Sequence, residues 1–156
     1  KIFVGGALAN NFFREQGLDI GTSIFDGKTD VKKYLNNPKI IIPVDVKAKG
    51  GAILDCGPNT IKALKETVNQ SKFVLWNGPL GNFEKKEFAK GTEELAKIVA
   101  ASPAVSIIGG GDTIAAARKI NNGALMKDFS FVSTAGGAML EFLSQGTLPG
   151  IEALKR

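Results

Sequence analysis

The stretch Val105-Ser106-Ile107-Ile108-Gly109-Gly110-Gly111-Asp112-Thr113 decides how the chain folds. A short β-branched run stops at three glycines, and a helical pattern through Ile114 and Arg118 follows. That order marks a strand turning into a helix. It recurs three times. Val4-Gly5-Gly6, Trp76-Asn77-Gly78-Pro79 and Ser133-Thr134-Ala135-Gly136-Gly137 each close an apolar run and open a helical one.

Working outward, the apolar runs are Ile2–Val4, Ile40–Val46, Phe73–Trp76, Val105–Ile108 and Phe129–Ser133. They are largely apolar, as strands buried on both faces are. Helical spacing lies between them. Ile61, Leu64, Lys65 and Val68 share one face. Phe88, Leu95, Ile98, Val99 and Ser102 share another, with Glu93 and Lys97 paired at i,i+4. Pro58 after Gly57 suits a first helical position. A last helix begins near Gly137 and ends before Gly146. Gly17–Pro38 reads as a loop with one short helix around Val31–Asn36, and Lys47–Gly51 as a polar turn. The alternation predicts an α/β fold over residues 1–156: one domain, a Rossmann-like three-layer αβα sandwich with a mostly parallel sheet. Ile2-Phe3-Val4 is apolar from the first residues, which reads as the middle of a fold.

Composition narrows the chemistry. The chain has 156 residues and no histidine, which excludes His-based acid–base catalysis, a Ser-His-Asp triad and His-ligated zinc. One cysteine, Cys56, excludes a disulfide within the chain and fits a reducing, cytoplasmic setting. The net charge of +5 favours anionic partners. The lysines are scattered, and there is one Tyr and one Trp, so nucleic acid is not the expected partner. No apolar stretch is long enough to cross a bilayer. Glycine is the outlier: 19 residues, well above ordinary usage of about 7%. In a parallel sheet the four glycine junctions lie on one edge, where open α/β sheets bind ligands. Helix N-termini there favour anions. Neither G-x-x-x-x-G-K-[ST] nor a G-x-G-x-x-G fingerprint after the first strand is present, so the expected phosphate site uses distributed backbone amides, and a dehydrogenase domain is disfavoured. Asp112 has two readings from its position, a helix N-cap or a Mg²⁺ ligand.

Trp76-Asn77-Gly78-Pro79-Leu80-Gly81-Asn82-Phe83-Glu84 resembles the W-N-G-P-x-G-x-F-E segment of the phosphoglycerate kinase family. Gly109–Thr113 is similar to its G-G-G-D-T, and Leu54-Asp55-Cys56-Gly57-Pro58 to its L-D-x-G-P. Gly21-Thr22-Ser23, Ser133–Ala138 and Leu148–Leu154 extend the likeness along the whole chain. It corresponds to the family's C-terminal, nucleotide-binding domain. The resemblance implies phosphoryl transfer between 1,3-bisphosphoglycerate and MgADP, giving 3-phosphoglycerate and MgATP in glycolysis, with a carboxyl group as acceptor. By the same resemblance Gly5 and Gly6 lie against adenine, with Ile24 as an apolar wall. Pro79 packs near base and ribose, and Glu84 accepts ribose hydroxyls. Asn77, Gly110 and Gly111 approach the nucleotide phosphates. Asp112 holds Mg²⁺ with Thr113 beside it. Gly136 and Gly137 donate amides to the transferring phosphoryl group.

The chain departs from the family pattern at Ala7, Ile53 and Ala135, and the segment between Val46 and Ile53 is short for the family. The arginine-rich N-terminal domain that would hold the phosphoglycerate is not in this sequence. The expectation is therefore a monomer that binds ATP and ADP but does not turn over alone. The alternative is a stand-alone ATP/ADP-binding module without catalysis.

Overall fold

The computed structural model describes residues 1–155. β1 (Ile2–Phe3) leads into α1 (Gly6–Glu15), and a 3-10 turn at Lys32–Tyr34 precedes β2 (Ile40–Ile41). β3 (Val46–Lys49) and β4 (Ala52–Cys56) form a hairpin before α2 (Pro58–Asn69). Then β5 (Phe73–Asn77), α3 (Lys90–Ala100), β6 (Val105–Gly109), α4 (Gly111–Lys119), β7 (Phe131–Ser133), α5 (Gly136–Gln145) and α6 (Pro149–Leu154) follow. The α/β class and the strand–helix alternation agree with the sequence pattern. The strands, however, fall into three hydrogen-bonded groups: parallel β1–β2, antiparallel β3–β4, and parallel β5–β6–β7.

Two local differences have physical causes. The run Ile40–Val46 is not one strand. Pro43 cannot donate to a ladder, and the amides of Val44 and Asp45 are taken by the Thr60 hydroxyl at 3.0 and 3.2 Å. Lys47–Gly51 is more than a turn. Val46–Lys49 pairs with Ala52–Cys56 across Gly50-Gly51, both at positive φ. Lys49 holds this hairpin to Glu87 through an ion pair of 2.9 Å.

The main core lies between α2, α3, α4 and the three-stranded sheet. Leu64, Val68, Leu95, Val99, Ile108, Ile114 and Ala117 fill it, with Trp76 buried among them. The Trp76 indole donates to the Gly78 carbonyl at 2.7 Å, so its one polar atom is satisfied. A smaller core of Ala9, Phe13 and Ile20 seats α1 on Ile42 and Ile53.

α2 is capped from a distance. Gly57 occupies its cap position without a side chain. Asp45 supplies the acceptors: Oδ2 takes the Asn59 amide at 2.9 Å, and Oδ1 takes the Thr60 amide at 2.7 Å and the Thr60 hydroxyl at 2.6 Å. Burial pushes the Asp45 carboxyl up, but the bonds from Thr60 and Asn59 together hold it below its ordinary value of 3.8. A depressed carboxyl contributes stability above its unfolded-state value and loses it as pH falls through the folded one. Asp45→Ala is therefore expected to cost about 1–2 kcal/mol at pH 7, the scale of a lost cap. Urea denaturation from pH 7 down to pH 3 checks this, and the gap between the two proteins should narrow below about pH 4.

Candidate functional site

Asn77, Gly109 and Ser133 lie level with one another at the C-terminal ends of β5, β6 and β7. The turns that leave them are pressed together. A Cβ on Gly136 would lie 2.5 Å from the Asn77 Oδ1 and 2.5 Å from the Gly110 amide nitrogen. A Cβ on Gly110 would lie 2.7 Å from the same Oδ1, and Gly110 sits at φ +90°. Only glycine fits either place. The N-termini of α4 and α5 thus converge beside Asn77. Neither has a side-chain cap, so their first-turn amides and the positive ends of two helix dipoles meet at one point. Gly111 and Gly137, one residue further on, have open space around them. Such a pair of helix ends suits an anion of phosphate size.

Thr113 locks this arrangement. Its side chain is fully buried, and its hydroxyl accepts the Gly78 amide hydrogen at 2.7 Å. It ties the β5 turn to α4. Asp112 is exposed at the second position of α4. The cap position belongs to Gly110, and Asp112 makes no capping hydrogen bond, so the capping reading does not hold. Among the described residues no group of three potential ligand side chains occurs. Asp112 is a single exposed carboxylate in the first turn of α4, and Mg²⁺ is usually held by one or two carboxylates together with substrate phosphates.

A cavity of about 620 Å³ opens beyond the turn that follows β5. It lies between the start of α1, β4 and the loop after β5. Gly5, Gly6, Ile24 and Pro79 line it, as do Phe13, Ile53 and Leu80. The link is short: Asn77 and Pro79 stand at the two ends of one tight turn, and Gly6 packs against the Pro79 carbonyl. The slot and the helix ends are thus joined through the turn that follows β5. Glu84 is exposed and is not among the lining residues.

Some residues that shape the cavity stood in recognised motifs without an assigned role. Asp55 is 3% exposed. Its Oδ2 accepts the Gly91 amide and its Oδ1 the Cys56 amide, both at 2.9 Å, which anchors the start of α3 to β4. Burial is the main influence on its carboxyl and raises it above the ordinary range. Gly81 packs directly on that carboxylate, and the Leu80 amide is taken by the Thr92 hydroxyl at 3.0 Å. The loop after β5 is thereby fixed from below. Cys56 is buried, and desolvation pushes its thiol up to about 12, so it is inert packing.

Thr113→Val removes the hydroxyl at nearly constant volume and leaves the Gly78 amide unpaired. Its expected cost is about 1–3 kcal/mol. Asp112→Asn should leave stability within about 0.5 kcal/mol, as an exposed change does. Chemical denaturation of both variants checks the contrast.

The family model for phosphoglycerate kinase matches residues 1–146. The phosphoglycerate kinase of Zymomonas mobilis is 40% identical, over 99% of this chain and 46% of its own length. That of Pelotomaculum thermopropionicum is 37% identical, over 98% and 45%. The solved phosphoglycerate kinase of Coxiella burnetii superposes with a TM-score of 0.80 at 38% identity, covering 98% of this chain and 45% of that one. The Pyrococcus horikoshii enzyme gives 0.75 at 30% identity, covering 98% and 44%. The chain spans about half the length of the relatives it matches. The alignment with the Zymomonas protein runs over 184 positions, more than the chain's 156 residues, so the relative carries segments that are absent here. From the 1–146 match and these identities, the chain belongs to the phosphoglycerate kinase family.

Proposed function

We propose that this chain is the C-terminal, nucleotide-binding half of a phosphoglycerate kinase, which moves a phosphoryl group between 1,3-bisphosphoglycerate and MgADP. The observation that carries this reading is the meeting of two uncapped helix N-termini at Asn77 beside an apolar cavity. The base and ribose occupy the slot formed by Gly5, Gly6, Ile24 and Pro79. The phosphates run along the turn at Asn77 to the amides of Gly110 and Gly111. The transferring phosphoryl group meets the amides of Gly136 and Gly137 at the start of α5. Asp112, free of any capping role, holds Mg²⁺, which neutralises charge on the phosphate oxygens. Glu84, exposed beyond the cavity rim, reaches the ribose hydroxyls.

Phosphoryl transfer asks for positioning and charge stabilisation more than for covalent chemistry. The amides of two helix ends supply both, and an acyl phosphate needs no general base, so a chain without histidine is equipped for its half of the reaction. The other half, capture of the phosphoglycerate by a basic, arginine-rich patch that leaves its carboxyl-phosphate end facing the nucleotide, belongs to a partner domain of the kind that fills the rest of the relatives' length. In such an enzyme the setting is glycolytic and cytoplasmic. The coverage of about half of each relative also favours a second reading for the polypeptide by itself: a monomeric ATP/ADP-binding module without turnover.

Calorimetry at millimolar nucleotide tests the proposal. Weak binding of MgADP and MgATP is expected; no heat from a chain shown folded by circular dichroism overturns it. Asp112→Asn should reduce the gain in ADP affinity that Mg²⁺ confers over EDTA by about tenfold. If that gain survives intact, the metal assignment is wrong. The chain by itself should make no ATP from 1,3-bisphosphoglycerate in a coupled assay, because one of two substrates is unheld and the advantage of proximity is lost.

A further inference from the structure

Asparagine followed by glycine occurs twice in the chain, at Asn77-Gly78 and at Asn122-Gly123. Such a pair carries chemistry of its own. Glycine has no Cβ to shield its amide nitrogen or to restrict its backbone, so that nitrogen can close a ring on the side-chain carbonyl carbon of the asparagine before it. The fold treats the two pairs differently. Asn77 ends β5, in register with Gly109 of β6. Its Oδ1 is packed so closely on Gly110 and Gly136 that a Cβ there would lie 2.7 and 2.5 Å from it. The Gly78 amide, the nitrogen that would attack, donates to the Thr113 hydroxyl at 2.7 Å. Both reacting groups of this pair are held against other partners.

Asn122-Gly123 lies in the connection between α4 and β7, and Asn122 is exposed. Asn121, Asn122 and Gly123 follow one another at φ +47°, +53° and +80°. A left-handed conformation is costly for a residue that bears a side chain, so two of the three hold this turn against their own preference. A Cβ on Gly123 would meet only the Arg118 carbonyl, at 3.8 Å, so the glycine is uncrowded. Ring closure needs the turn to open, and opening relieves two left-handed asparagines. We infer that Asn122-Gly123 is a site of self-modification by deamidation, and that the Thr113 bond keeps Asn77-Gly78 from the same reaction. The Gly123 nitrogen attacks Cγ of Asn122. A C–N bond forms there, the bond from Cγ to the side-chain nitrogen breaks, and ammonia leaves with the proton that the amide gives up. Water then opens the ring. Cleavage at Cγ leaves aspartate, and cleavage at the main-chain carbonyl leaves isoaspartate, whose chain runs through the former side chain. Nothing is oxidised or reduced. The product adds one negative charge just beyond Arg118 and Lys119, the basic residues of the last turn of α4. The inference stands apart from the nucleotide reading.

Incubation of the folded chain in mildly alkaline buffer, followed by peptide mapping and enzymatic methylation of isoaspartate, is the test. Asn122 should lose its amide, with both products present, about tenfold faster than Asn77, the ratio given by a barrier difference of ~1.4 kcal/mol. In urea, with the fold removed, the two rates should converge. Equal loss at both pairs in the folded chain overturns the inference, as does an intact Asn122 after the urea-treated chain has converted. Thr113→Val should bring Asn77 into the reaction and leave the Asn122 rate alone; an Asn77 that stays intact in that variant overturns the part given to Thr113. Should the variant not fold, hydrogen exchange at the Gly78 amide of the unmodified chain decides. Strong protection supports the lock, and free exchange overturns it.

Discussion

The Thr113 hydroxyl and the Gly78 amide form the bond on which the site depends. The sheet alone would place three turns on one edge, but turns on an edge can splay. The Thr113 bond draws the β5 turn under the first turn of α4, and this brings Asn77 against Gly110 and Gly136. With side chains excluded there, the space is left to backbone amides. Two helix ends then meet, with Asp112 exposed in the first turn of α4. The apolar slot is built by an equally local device: Asp55 holds β4, the start of α3 and the loop through Gly81 in one place. The site is thus a product of two buried polar anchors, one under each half.

Much of this was legible in residue order. Glycine after a β-branched run marks a strand end whatever the tertiary context, so the four junctions could be read directly; three of them open a helix at once, whereas after β5 a loop with a 3-10 turn at Lys86–Phe88 runs on to α3 at Lys90, contrary to the sequence reading. α5 begins at Gly136 and stops before Gly146, whose φ of +74° is the left-handed cap that glycine permits. Gly5, Gly6, Ile24 and Pro79, which the resemblance rather than residue order singled out, line one cavity. The hairpin at Val46–Cys56 was less visible. Its first strand is Val46-Lys47-Ala48-Lys49, exposed throughout, and lacks the apolar signal by which buried strands are recognised. Asp55 was legible as part of a motif but not as an anchor, because its partners Gly91 and Cys56 become neighbours only in the fold.

Thr113 and Asp112 illustrate what spacing cannot resolve. Both sit in the first turn of α4, one residue apart, and a rotation of about 100° per residue separates their directions. One is fully buried and holds the turn; the other is exposed and free of capping. Reading them as a pair assigns both to the ligand. The helix divides them into a support and a candidate ligand.

The remote cap of α2 has a consequence for how the chain acquires its structure. Most helices carry the acceptor for their first amides in the residue just before them, so the first turn can form alone. Here the acceptor is Asp45, 15 residues from Thr60 in sequence. The start of α2 is therefore satisfied only after the intervening hairpin has closed, at an entropic cost that grows with the logarithm of loop length. Hairpin and helix form as one cooperative unit, and α2 cannot act as an early, independent nucleus for the larger core that it covers.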